Sequence, residues 1–310
     1  MLQEYLEHAL EFGSAFISHG KVASYIPALA KANPKDLGIC LMTTDGQCYC
    51  AGNTDQRFSM QSISKVLSLV IALQTLGTDK VFEYVRMEPS GDAFNSIVKL
   101  DTTSDVPFNP MINSGAIVVA SLLVPHYSFS ELMQQIQDLC MDPDIALDQE
   151  VYESESETGF RNRSIGYLLK SKGVIYPQTN VDDALDYYFK LCSLSVTAKS
   201  LAGFGLVLAN DGIHPVTGQR LLDPFVVKAA KTLMLTCGMY DGSGEFAVRV
   251  GIPSKSGVGG GILSFVNQHA GIGVYGPALD SKGNSIAGIE MLAYLSKHLH
   301  LHIFDSEIKL

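Results

Sequence analysis

Apolar side chains recur at helical spacing through residues 2–18: Leu2, Tyr5, Leu6, Ala9, Leu10, Phe12, Phe16 and Ile17. This predicts an opening helix that Gly20 stops. Two short apolar runs, 37–42 and 48–51, flank Thr44-Asp45-Gly46. Asp-Gly between strand-like runs predicts a β-hairpin. Residues 62–76 are apolar nearly all round (Ile63, Val66, Leu67, Leu69, Val70, Ile71, Leu73, Leu76), so this segment reads as a buried helix ended by Gly77. Helical periodicity returns over 79–86, 113–123, 130–139, 162–171, 181–191 and 196–209. Beyond that the pattern turns to strands at 245–250, 257–266 and 271–275, and a turn at 280–284 leads to a closing helix over 285–299.

Strands at both ends with helices between them predict an α+β fold in one domain spanning 1–310. The short links between the late strands argue for antiparallel pairing. The expected assembly is a five-stranded antiparallel sheet. Terminal helices cover one face, and an all-helical subdomain is added to it. The expected division is 1–60 with 211–310 as an α/β sandwich and 61–210 as the mainly helical part. There is no internal repeat and no low-complexity segment.

Composition narrows the function classes. The chain has 310 residues, is 46% hydrophobic and carries a formal charge of −10. That sign repels phosphate backbones, so nucleic-acid binding is not expected. No apolar run reaches the roughly 18 residues of a membrane span. The acidic, polar start, Gln3-Glu4 and Glu7-His8, does not read as an export signal. The six cysteines, Cys40, Cys48, Cys50, Cys140, Cys192 and Cys237, are therefore expected to be reduced thiols in the cytoplasm. Cys48-x-Cys50 is neither a redox CxxC nor half of a paired zinc motif, and it reads as strand packing. No metal is expected.

The candidate chemistry begins at Ser-x-x-Lys. The pattern occurs at Ser18/Lys21, Ser62/Lys65, Ser96/Lys99 and Ser306/Lys309, so by itself it is weak. Only Ser62/Lys65 opens a buried helix, with both residues on one face. Burial there favours a neutral lysine amine, and the helix N-terminus adds positive potential. A neutral Lys65 beside Ser62 is a base next to a nucleophile. The alternative is Ser62 as a helix cap with Lys65 reaching solvent. Lys255-Ser256-Gly257 fits the third element of penicillin-recognising serine hydrolases, but equally a turn with a solvated lysine. Asn113 follows Asn109-Pro110-Met111-Ile112 and reads either as an amide or carboxylate ligand or as a cap.

Four fragments, taken together, resemble the serine-dependent glutaminases: Gln61-Ser62-Ile63-Ser64-Lys65, Asn109-Pro110-Met111-Ile112-Asn113-Ser114-Gly115-Ala116, Cys237-Gly238-Met239-Tyr240-Asp241 and Lys255-Ser256-Gly257-Val258. The resemblance runs from Gly20 to about His298. It implies a β-lactamase/DD-peptidase-like fold and hydrolysis of L-glutamine to L-glutamate and ammonia with no cofactor. It also implies a homo-oligomer, dimer or tetramer. By resemblance Ser62 is the nucleophile and Lys65 its base, Tyr240 relays a proton, and Tyr25 lines the pocket. The amides of Ser62 and Val258 form the oxyanion hole. Asn113, Glu155, Asn162 and Tyr188 bind the substrate. Glu155 sits in an acidic run that alone reads as a solvated loop, and its role rests on its seven-residue distance from Asn162. Ser114 departs from the family, which usually has Ala there. Two other readings stay open: a penicillin-binding type of hydrolase, and a glutamine sensor without activity.

Overall fold

The computed structural model describes every residue except 91–94 and 97–104, and Lys99 of the Ser96/Lys99 match lies outside the described residues. Helix α1 (Leu2–Ser14) leads to the hairpin of β1 (Gly38–Thr43) and β2 (Cys48–Gly52), in register from Gly38↔Gly52 to Met42↔Cys48. Gly46 takes the positive φ of 90° that the tight turn requires. A short strand, β3 (Phe58–Ser59), enters the long helix α2 (Ser64–Leu76), which is followed by α3 (Thr78–Tyr84). Next come α4 (Asn113–Leu123), α5 (Phe129–Cys140), β4 (Ala146–Leu147), α6 (Gln149–Thr158), α7 (Phe160–Ser171) and α8 (Val181–Cys192). They are followed by β5 (Leu194–Val196), α9 (Ala198–Ala209), α10 (Pro224–Cys237) and α11 (Ser243–Arg249). The chain closes with β6 (Ser254–Ser256), β7 (Gly261–Val266), β8 (Ala270–Tyr275) and α12 (Ile286–Leu299).

The main sheet is five-stranded and antiparallel, in the order β2-β1-β8-β7-β6. The first hairpin therefore joins the last strands through β1 and β8. Ile39 and Leu41 on one face pack with Leu6 and Ala9 of α1 and with Met291 and Leu295 of α12. The opposite face carries α9, whose backbone lies directly on the sheet. A Cβ on Gly273 would stand 1.9 Å from the Ala198 carbonyl oxygen, and one on Gly271 would stand 2.1 Å from that of Ala202. Side chains at those two positions would hold the helix off the strand.

The helical part is centred on α2, whose residues from Ser64 to Leu73 are all buried. It packs against α4 and α10. A second, three-stranded sheet, β3-β5-β4, fixes the way into α2. There the Met60 amide donates to the Leu194 carbonyl at 2.7 Å, and the Ser59 hydroxyl donates to the Cys192 carbonyl at 2.8 Å.

The structure corrects the pattern at four places. Of residues 245–250, expected as a strand, 245–249 form most of α11 and Val250 caps it. Phe246 and Val250 are buried four residues apart, while Val248 is 83% exposed. Six residues with apolar side chains at every second position fit either period, and here packing chose the helix. The fifth strand is instead β6, Ser254-Lys255-Ser256, whose polar sequence reads as a turn; 257–260 is the link to β7 and not part of it. The acidic run around Glu155 is helix α6, capped by Asp148, whose carboxylate accepts from the Val151 amide at 3.1 Å. Helix α10 is an element that the apolar pattern does not predict, although Asp223-Pro224 is a strong start signal.

Candidate active site

Gln61, Ser62 and Ile63 form a single tight helical turn ahead of α2, and Gln61 holds a positive φ of 49°. A non-glycine residue in that region is strained, and β3 and the turn between β6 and β7 hold it there. Glycines let the two turns touch. A Cβ on Gly259 would stand 2.2 Å from the Ser59 carbonyl oxygen, and one on Gly257 would stand 2.8 Å from that of Met60. Val258, between them, is thus held beside the turn that carries Ser62.

Lys65, the second residue of α2, lies three residues beyond Ser62 and is buried. Its Nζ donates to Asn113 Oδ1 at 2.7 Å and to the Met111 carbonyl at 3.2 Å. Desolvation pushes its pKa down to about 8, against the opposing pull of the Cys192 thiol and the Glu155 carboxylate. The Met111 carbonyl is aimed by the loop 109–112, in which Asn109 Oδ1 accepts from the Met111 amide at 3.0 Å. That loop lies so close to α4 that a Cβ on Gly115 would stand 2.0 Å from the Asn109 carbonyl oxygen.

Asn113 links the lysine to the pocket, since its Nδ2 donates to Asn162 Oδ1 at 2.9 Å. Tyr25, Ser62, Asn113, Glu155, Asn162 and Tyr188 line one pocket with Gln61 and Ile26. Glu155 is buried, and desolvation lifts its pKa to about 7 despite a hydrogen bond from Gln61 and the charge of Lys65. Its Oε2 has no hydrogen-bond partner among the described residues. Tyr188 is buried behind the pocket, whereas Tyr25 stands 58% exposed at its mouth.

Tyr240 closes the other side. It too has a positive φ, 52°, and burial pushes its hydroxyl pKa up, while contacts with the Ser62 hydroxyl and the Val258 amide pull it down. Lys255 lies beneath it, with Nζ 4.5 Å from the centre of the Tyr240 ring. Far from being solvated, Lys255 is fully buried and donates to the carbonyls of Gly238 (3.1 Å) and Ser256 (2.5 Å). Desolvation, then the charge of Lys65, drives its pKa well down.

The structure brings together all nine residues named from the sequence. Six line the pocket, Lys65 stands behind Ser62, and Tyr240 and Val258 border it. Two further residues belong to the site, Gln61 and Lys255. The Lys255-Ser256-Gly257 triplet was a signal for the second, while Gln61 gave none, because its part depends on a backbone angle. Among the described residues, one cluster of metal-ligating type occurs, at Cys40, Cys48 and Cys50, away from this pocket.

A buried serine in the turn that enters a central helix, a buried lysine three residues on, and a sheet-edge Lys-Ser-Gly nearby give the chain the layout of the Ser-x-x-Lys fold class. The glutaminase family model matches residues 20–304, and the chain belongs to that family. It is 50% identical over 307 residues to glutaminase 2 of Clostridium perfringens, covering 98% of this chain and all of the relative. It is 51% identical over 307 residues to a glutaminase of Fusobacterium nucleatum, with the same coverage. The solved structure of the probable glutaminase ybaS superposes with a TM-score of 0.92 at 36% identity, covering 98% of both chains. A probable glutaminase from Bacillus subtilis, complexed with 6-diazo-5-oxo-L-norleucine, gives 0.88 at 39% identity, covering 97% of this chain and 96% of that one.

Proposed function

We propose that the protein hydrolyses the side-chain amide of L-glutamine to L-glutamate and ammonia through an ester at Ser62. The observation that carries this reading is Glu155: a buried carboxylate with an unpartnered oxygen, in the same pocket as Ser62. Such a group is costly unless a cation meets it. Lys65 is already held by Asn113 and Met111, so the cation that answers Glu155 is the α-ammonium of the substrate. The amides of Asn113 and Asn162 face the α-carboxylate, and Tyr188 walls the methylene chain.

With the amino-acid end fixed there, the side-chain amide reaches Ser62. Neutral Lys65 accepts the Ser62 proton as Oγ attacks the amide carbon. The amides of Ser62 and Val258 hold the oxyanion. Tyr240 passes the proton to the departing nitrogen, and ammonia leaves. Water attacks the ester by the reverse relay and regenerates Ser62. A relative supports the covalent step: the glutaminase YbgJ of Bacillus subtilis forms a covalent complex with 5-oxo-L-norleucine on reaction with 6-diazo-5-oxo-L-norleucine.

Ammonia release from L-glutamine tests this, with L-asparagine and D-glutamine as controls. Ser62→Ala should lower kcat by at least about 10³-fold and abolish the mass increment left by 6-diazo-5-oxo-L-norleucine. A variant that still turns over and still takes up the label would overturn the assignment of Ser62. Binding of glutamine without turnover by the wild type would favour the sensor reading. We further infer a cytoplasmic homo-oligomer, a reading that rests on the likeness to the glutaminases. No described helix is long and apolar enough to cross a membrane.

A further inference from the structure

The hairpin at the far edge of the main sheet carries chemistry that the reaction at Ser62 does not use. Cys40 on β1 stands opposite Cys50 on β2, and Cys48, two residues earlier on β2, lies on the same face. Their sulfurs close a triangle: 3.1 Å between Cys40 and Cys50, 3.6 Å between Cys40 and Cys48, and 3.8 Å between Cys48 and Cys50. All three are free thiols. The sequence alone offered two of them at a spacing without meaning. Pairing of β1 with β2 supplies the third.

The dimensions suit a thiophilic ion. A point in the sulfur plane equidistant from the three lies about 2.0 Å from each, so an ion with bonds of about 2.3 Å sits roughly 1 Å out of that plane. Burial is graded in a useful way: Cys40 is buried, Cys50 partly so, and Cys48 exposed, which leaves a path from solvent. Because β2 is an edge strand, no neighbouring strand blocks that path.

We propose that Cys40, Cys48 and Cys50 form a three-thiolate site for one soft metal ion of the zinc(II) or copper(I) class. As each sulfur–metal bond forms, that thiol gives up its proton to solvent, and no electron is transferred. A disulfide between Cys40 and Cys50 would use two of the three sulfurs and leave the position of Cys48 without a role. The site lies at the sheet edge opposite β6, so its occupancy should stiffen the hairpin and leave turnover unchanged.

The test is titration of the reduced full-length protein with cobalt(II) under anaerobic conditions, followed by zinc(II) and, separately, copper(I). One equivalent of cobalt should give thiolate-to-metal charge-transfer absorption that zinc bleaches, and the melting temperature should rise on binding. Cys48→Ser and Cys50→Ser should each weaken binding by at least about tenfold while glutamine turnover stays within about twofold of wild type. Retained turnover also shows that these variants fold, which the buried Cys40→Ser does not guarantee. One tightly held equivalent of either zinc or copper supports the site. Absence of charge-transfer absorption with no retention of either ion would overturn it. So would binding that survives replacement of Cys48 and Cys50 together, or a Cys40–Cys50 disulfide formed in protein that ignores metal.

Discussion

Two buried ionisable side chains set the behaviour of the pocket, and burial moves both toward neutrality. Lys65 is brought down to about 8 and Glu155 up to about 7. On the proposed mechanism the productive form has neutral Lys65 and ionised Glu155, so both act in the same direction. In the free enzyme kcat/KM should rise with pH through about 7 and again through about 8. A pH–rate profile already flat from pH 6 upward would contradict this. Glu155 also carries a stability cost. Its pKa is raised from the ordinary 4.5 to about 7, so the folded protein holds that proton more tightly than the unfolded chain does. Stability therefore falls as pH rises from about 4.5 through 7. Glu155→Gln escapes that cost. Urea melts at pH 8 should show it more stable by about 1–3 kcal/mol, with KM for glutamine raised at least tenfold. A variant both less stable and unchanged in KM would remove Glu155 from the site.

At the scale of elements, the site is a meeting of turns rather than a property of one helix. The turn 257–260 approaches residues 59–61 only because glycines face that contact. Gly259→Ala places a Cβ against the Ser59 carbonyl and should push the Val258 amide away from Ser62. On the proposed mechanism this removes one oxyanion donor, which predicts a fall in kcat of about 10²–10³-fold with KM little changed. An equal rise in KM would instead show a collapsed pocket. Helix α6 offers a milder probe, since Asp148 caps it and Glu155 lies two turns on. Asp148→Ala should cost about 1 kcal/mol in thermal or urea unfolding.

For the whole molecule, charge and exposed apolar surface oppose each other. The chain carries −10, so identical copies repel. Yet Phe304, Val248 and Phe225 stand 85%, 83% and 58% exposed. Salt screens the repulsion over about 8–10 Å and leaves apolar contacts intact. Light scattering should accordingly show the mass rising from a smaller species toward a dimer or tetramer as salt increases. A monomer at every ionic strength would dismiss the oligomer.

Sequence by itself determined the long features, because their apolar patterns run over enough residues to distinguish one period from the other. The buried helix from Ser64, the Asp45-Gly46 hairpin and the closing helix are of this kind, as is the order of the motifs that carry the family resemblance. Short and polar elements were settled only by tertiary structure. Ser254-Lys255-Ser256 is a strand because β7 pairs with it, and 245–249 is helical because Phe246 and the capping Val250 find one apolar surface. Glu155 reads as solvated until α6 turns it inward beside Val151, and three cysteines become neighbours only when β1 and β2 align. Patterning reports which face of an element is buried. What a buried polar group meets depends on residues remote in sequence, and only the fold brings them together.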